Sequence, residues 1–188
     1  MIRQKVKKPA ISEEILEDVQ RESFAYFMHE ANPKNGLVAD CTRPGSPASI
    51  AAVGLALSSY PVGVEKGFIT RFAGRKRTLA TLRFFRDSVQ STAPDATGYK
   101  GFYYHFLEMK TGRRAWKCEL STIDTAFLIA GMLTAAAYFS ADQRDEREIR
   151  QVADELYRRV DWQWAQNGKP TVTHGWKPGR GFLKYRWQ

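Results

Sequence analysis

The chain has 188 residues, 43% hydrophobic and 26% charged, as expected of a soluble globular domain large enough to bury a core. Its net charge of +9 admits a nucleic-acid partner only as a minority alternative, because the basic residues are dispersed, and no apolar run reaches a bilayer span, so no membrane is expected. Two cysteines, Cys41 and Cys118, are too few for a disulfide framework, and His29, His105 and His174 lack metal-ligand spacing, so neither metal nor cofactor is expected.

Residues 1–11 read as a basic tail without the apolar segment of a signal peptide, which leaves the compartment open. A first helix is expected over residues 12–31, with Ser12 as N-cap and Glu13 and Glu14 complementing the helix dipole. A second is expected over 46–60, with Pro47 in its first turn, and its core IAAVGLAL is apolar all round. The third, over 70–91, is amphipathic: Phe72, Leu79, Leu82, Phe85 and Val89 form its stripe. Its basic cluster TRFAGRKR reads as a solvated face.

Residues 101–119 read as a β-hairpin that turns at Lys110-Thr111-Gly112. Alternation would put Tyr103, His105 and Leu107 on one face and Phe102, Tyr104 and Phe106 on the other. A fourth helix, over 121–139, carries AFLIAGML and is again apolar all round. The fifth, over 143–165, is amphipathic, with Ile149, Ala153, Leu156 and Val160 facing inward.

The order outer, inner, outer, inner, outer is that of stacked helical hairpins in two layers. The fold class is therefore all-α, a partial α/α toroid of stacked hairpins with a small β-hairpin in a long loop; a plain bundle or a solenoid is the competing plan. Links that follow inner helices are short, and links that precede them are long. The long loops should share one end of the layer, at the N-termini of the inner helices.

Those loops mix aromatic, acidic and basic residues. Pyranose C–H faces pack on aromatic rings, and sugar hydroxyls take charged hydrogen-bonding partners. Phe102, Tyr104 and Trp162 are better read as packing. Glu119 and Asp124 are the candidate catalytic carboxylates, since glycoside hydrolysis uses a pair of them. For Asp124 a capping box with Ser121 is an equal contender.

The segments GLVADCTRPGSPASIAAVG, SYPVGVEKGFIT, GYKGFYYHFLEMKTGRRAW, CELSTIDTAFLIAG and LYRRVDWQWAQN resemble the bacterial glucoamylase-like domain family, which includes endo-β-1,2-glucanases. The resemblance covers residues 12–188 and implies an (α/α)6 toroid, of which the C-terminal half would be missing here. It also implies inverting hydrolysis of a β-glucan, most simply β-1,2-glucan, with a β-glucan or oligosaccharide as partner. Asp40, Tyr99, Lys100, His105, Glu119, Asp124 and Trp176 fall in the family's characteristic segments, and Arg43, Tyr103, Trp116 and Tyr185 join them as expected sugar contacts. A half-toroid would expose apolar edges, so self-association and weak or absent activity are expected. A non-catalytic carbohydrate-binding remnant is the other reading.

Overall fold

A computed structural model describes residues 12–187; the basic tail expected over 1–11 lies outside the described residues. Five long helices dominate: α1 (Glu13–His29), α2 (Ile50–Glu65), α3 (Arg71–Asp87), α4 (Thr122–Tyr138) and α5 (Arg144–Arg159), followed by the short α6 (Trp162–Gln166). Short strands punctuate the connections: β1 (Ala48–Ser49), β2 (Gly98–Tyr99), β3 (Phe102–Tyr103), β4 (Phe106–Leu107), β5 (Leu120–Ser121), β6 (Gly175–Lys177) and β7 (Gly181–Phe182).

Helices α2 and α4 form the inner layer. Their backbones meet at glycines: a Cβ on Gly54 would overlap the Phe127 carbonyl, and one on Gly131 would overlap the Gly54 carbonyl. Both helices spring from the same stretch of chain. β1 pairs with β4, Ser49 opposite Phe106, while Leu120 bridges Tyr104. The two helices thus start at the same end and run side by side in the same direction. The outer layer is α3 against α5, with α5 also packed on α4 and α1 on α2.

Several boundaries differ from the sequence reading. Ser46 and Pro47 are not the first turn of α2; residues 48–49 are extended, and the Ile50 amide donates to the His105 carbonyl at 3.2 Å. At its other end α2 continues through Pro61 to Glu65, so PVGVE, expected at the start of the link PVGVEKGFI, is helical. The predicted fifth helix is split at Val160–Asp161, where the Asp161 side chain caps α6 by accepting from the Trp164 amide at 2.8 Å. The third helix ends at Asp87, so Val89 lies beyond it and is exposed, as is Phe72 on α3; Gly74, Thr78 and Thr81 complete the buried face with Leu79, Leu82 and Phe85.

The basic cluster of α3 is not a solvated face. Arg71 makes a bidentate pair with Glu146 of α5 at 2.8 and 2.7 Å, and Arg75 reaches Asp145 at 3.2 Å. Arg83 binds Glu148 through two nitrogens at 2.6 Å. The hydrogen bond from Arg71 holds the buried Glu146 carboxyl below its ordinary value. These pairs form an interhelical seam. The inner helices are not covered on every side either: Leu55 and Val62 on α2, and Ile123, Phe127 and Leu133 on α4, are exposed. None of the described helices is long and apolar enough to cross a membrane.

Candidate active site

The site is built around the backbone of His105. Its amide donates to the Glu119 carbonyl at 2.9 Å, and its carbonyl accepts from Ile50 at the start of α2. The residue is therefore stitched between the N-terminal ends of both inner helices, and its half-buried side chain lies where those ends converge. This geometry also explains why the predicted hairpin alternation fails. Phe102, Tyr103 and Tyr104 are all fully buried because strands and helices cover both faces of the segment. The hairpin itself survives only near its turn, where Leu107 bridges Arg114 and the Glu108 amide donates to the Arg113 carbonyl at 2.8 Å.

The His105 Nδ1–H donates to Asp124 at 2.9 Å and lies 3.7 Å from Glu119. The Asp124 hydrogen bond raises the imidazole pKa against the opposing effect of burial, and the charges of Asp124, Glu119 and Asp40 add to it. Burial by itself would lift the Asp124 carboxyl. Hydrogen bonds with His105 and Ser121, together with the His105 charge, outweigh burial and hold it below the ordinary Asp range. Ser121 also caps α4 by accepting from the Asp124 amide at 3.3 Å, so capping and pairing occur together at this residue.

Glu119 occupies a different position. Its side chain is 30% exposed, against 13% for Asp124, and Lys177 approaches it at 3.6 Å from the other side. Strand β6 can come this close because a Cβ on Gly175 would overlap the Leu120 carbonyl and crowd the Glu119 side chain. Next to Gly175, Trp176 pairs with Leu120 in the strand register and packs its ring 5.4 Å from Tyr99. Asp40 is exposed on the loop before β1, near enough for its charge to act on His105. Trp116, 70% exposed, packs its ring 5.1 Å from Phe106, which in turn lies 4.0 Å from the His105 ring. Arg43 shares a surface groove with Trp116.

Tyr103 is fully buried, and its hydroxyl donates to the Phe85 carbonyl at 3.0 Å, so it packs α3 and reaches no cleft. Lys100 pairs with Asp161 at 3.3 Å, at the start of α6. Tyr185 is exposed beside His174, with ring centroids 6.0 Å apart. Phe102, Tyr104 and Trp162 pack in the core, as the sequence indicated. Lys177 is one of the basic residues of the third long loop, but its place beside Glu119 comes from the β5–β6 register and not from any spacing in the sequence. Among the described residues no group of three or more His, Cys, Asp or Glu side chains is placed to hold a metal ion.

This helical layer and its loop-built end recur in solved structures. A β-1,2-glucanase from Parabacteroides distasonis superposes with a TM-score of 0.80 at 27% identity, over 92% of this chain and 25% of that one. Its fold is the glucoamylase-like α/α toroid. An endo-β-1,2-glucanase from Chitinophaga pinensis, solved with sophorotriose and glucose, gives a TM-score of 0.81 at 24% identity over 94% of this chain and 44% of that one. Among curated proteins, an exo β-1,2-glucooligosaccharide sophorohydrolase (non-reducing end) of Parabacteroides distasonis is 30% identical over 184 residues, 93% of this chain. The chain spans 24% of that relative's length. No protein-family model matches the chain.

Proposed function

We propose that this chain supplies part of the substrate cleft of a β-1,2-glucan hydrolase, and that Glu119 is its acid/base carboxylate. The observation that carries this reading is the position of Glu119. It is a partly exposed carboxylate between His105 and Lys177, at the end of the inner helices, next to the strand that bears Trp176. The names of the relatives support a β-1,2-linked substrate.

Inverting hydrolysis uses one carboxylic acid at the leaving oxygen and one carboxylate that activates water on the opposite face of the sugar. Asp124 is ill suited to either role, since it is buried and committed to His105. We assign it instead to positioning: it orients the imidazole, which with Lys177 fixes Glu119. Asp40, exposed on the loop before β1, is the remaining carboxylate whose charge acts on His105. Trp176 and Trp116 are the stacking surfaces for pyranose rings. The six hairpins of a closed toroid surround such a cleft, whereas five long helices cover only part of it. We therefore expect hydrolysis by the chain alone to be weak or absent, while binding survives.

Titrating the chain with β-1,2-linked gluco-oligosaccharides, with β-1,3- and β-1,4-linked ones of equal length as controls, tests the reading. Binding should prefer the β-1,2 linkage and weaken about tenfold or more in Trp176→Ala, the scale of a lost aromatic contact. Any reducing-sugar release should vanish in Glu119→Gln. Failure to bind any of these glucans, or equal binding of all linkages, contradicts the proposal. Hydrolysis that persists in Glu119→Gln removes the catalytic assignment.

A further inference from the structure

A 790 Å³ groove is lined by Asp95, Arg114, Trp116, Lys117, Lys177 and Arg180, and Lys177 joins it to Glu119. The excess of cations is greater than the lining alone suggests. Asp95 is already engaged by Arg113 at 2.9 Å. Lys117 and Arg180 are exposed, and among the described residues neither has a carboxylate within 4.0 Å. Lys177, where the groove meets Glu119, is already paired with that carboxylate at 3.6 Å, so Lys117 and Arg180 are the two cations left to the groove.

The groove is held in shape by an unusual turn. Trp116 and Lys117 both take left-handed backbone angles, with φ of 51° and 52°. Such angles are unfavourable for side chains with a Cβ and persist only when their surroundings impose them. Arg114 provides the constraint: its Nε donates to the Cys118 carbonyl at 2.6 Å and its Nη2 to the Lys117 carbonyl at 2.7 Å, while its guanidinium lies over the Tyr104 ring. The result is an exposed indole with a lysine projecting beside it. A neutral glucan satisfies its hydroxyls with acceptors and donors alike and has no use for converging cations that repel one another.

We propose that this groove receives an anionic substituent, a phosphate or a carboxylate, carried on a glucan whose unsubstituted part lies at Glu119. The proposal rests on the reading of the cleft as a glucan site. The ring that bears the substituent stacks on Trp116, and Lys117 and Arg180 make charge-assisted hydrogen bonds to the anion.

The test compares three β-1,2-linked gluco-oligosaccharides of equal length by calorimetry with the whole chain: one neutral, one bearing a terminal phosphate, and one ending in a uronic acid. At least one anionic ligand should bind about five- to tenfold tighter than the neutral one, as expected of two exposed charge contacts. That gain should disappear in Lys117→Ala/Arg180→Ala and in high salt, with neutral binding unchanged. The swap Lys117→Arg/Arg180→Lys, which keeps both charges, should retain it and guards against a loss that merely reflects unfolding. Neutral binding without an anionic gain overturns this proposal alone, as does a gain that survives in the alanine variant. Inorganic phosphate that binds as tightly as the phosphorylated sugar also overturns it, since the sugar then contributes nothing. No binding by any of the three removes the glucan reading, and this proposal with it.

Discussion

The His105–Asp124 pair ties the chemistry of the site to the stability of the chain. His105 titrates above its ordinary 6.5 in the folded state, so folding favours the protonated imidazole. That contribution is complete below the ordinary value and is lost as pH rises through the raised one. Asp124 titrates below its ordinary 3.8, so its contribution is complete above that value and is lost as pH falls through the lowered one. Stability from the pair should therefore be greatest between these two ordinary values and decline on both sides. Urea midpoints of the chain and of His105→Ala, measured from about pH 3 to about pH 9, should differ most inside this window and converge at its alkaline end. A constant difference across the whole range would mean that the imidazole acts by packing and not by charge. Residue types of the site were legible from spacing and composition, but their partners were not. Ser121 and Asp124 are close neighbours in the chain, and their capping relation was legible. His105 reaches Asp124 only because its backbone is bonded to Glu119 on one side and to Ile50 on the other, which spacing cannot reveal. Tyr103 shows the converse: it belongs to a segment rich in sugar-binding residue types, yet a hydroxyl bonded to a backbone carbonyl commits it to the interior.

At the level of elements, the helices were legible because apolar periodicity and capping residues are local properties. Ser12, Thr70 and Ser121 cap the helices they precede, by accepting from Ile15, Ala73 and Asp124. The start of α2 was misread because its N-terminus is satisfied from a distance, by the His105 carbonyl, with no side-chain cap on Ser49. Its end was misread because a proline usually stops a helix at the preceding residue, whereas α2 carries Pro61 in its interior and runs on to Glu65. The seam between α3 and α5 was invisible for a similar reason: Arg71 and Glu146 are far apart in sequence, and their pairing is a product of the outer layer. The contact between α2 and α4 gives a sharper test. Gly54 and Gly131 each abut backbone of the opposite helix, where no side chain can move aside. Gly54→Ala or Gly131→Ala should destabilise the chain by about 1–3 kcal/mol through overpacking, despite the better helix propensity of alanine. Thermal or urea unfolding of the two variants measures this; a stability equal to or above that of the parent would show that the helices can separate at little cost.

The whole molecule presents an imbalance between its two layers. The outer helices α3 and α5 meet water with charged residues, joined across their seam by ion pairs. The inner helix α4 meets it with Ile123, Phe127 and Leu133, spaced along one face that also bears Ala130, Thr134 and Ala137. Leu55 and Val62 do the same on α2, and Ile15, Leu16 and Val19 on α1. Left in water, a contiguous apolar face of this kind favours association, because removing it from solvent contributes about 25 cal/mol per Å². The chain should therefore form dimers or larger species at micromolar concentration, or bind a hydrophobic dye such as ANS. Replacing Phe127 and Leu133 together by lysine should shift it towards monomer and lower dye binding. Helicity should be preserved, since both positions are exposed and lysine is a good helix former. Analytical ultracentrifugation and circular dichroism on the two forms decide the matter. A parent chain that sediments as a monomer without binding the dye would show that the stripe on α4 is stable in water, and that closure of the ring is not needed to protect it.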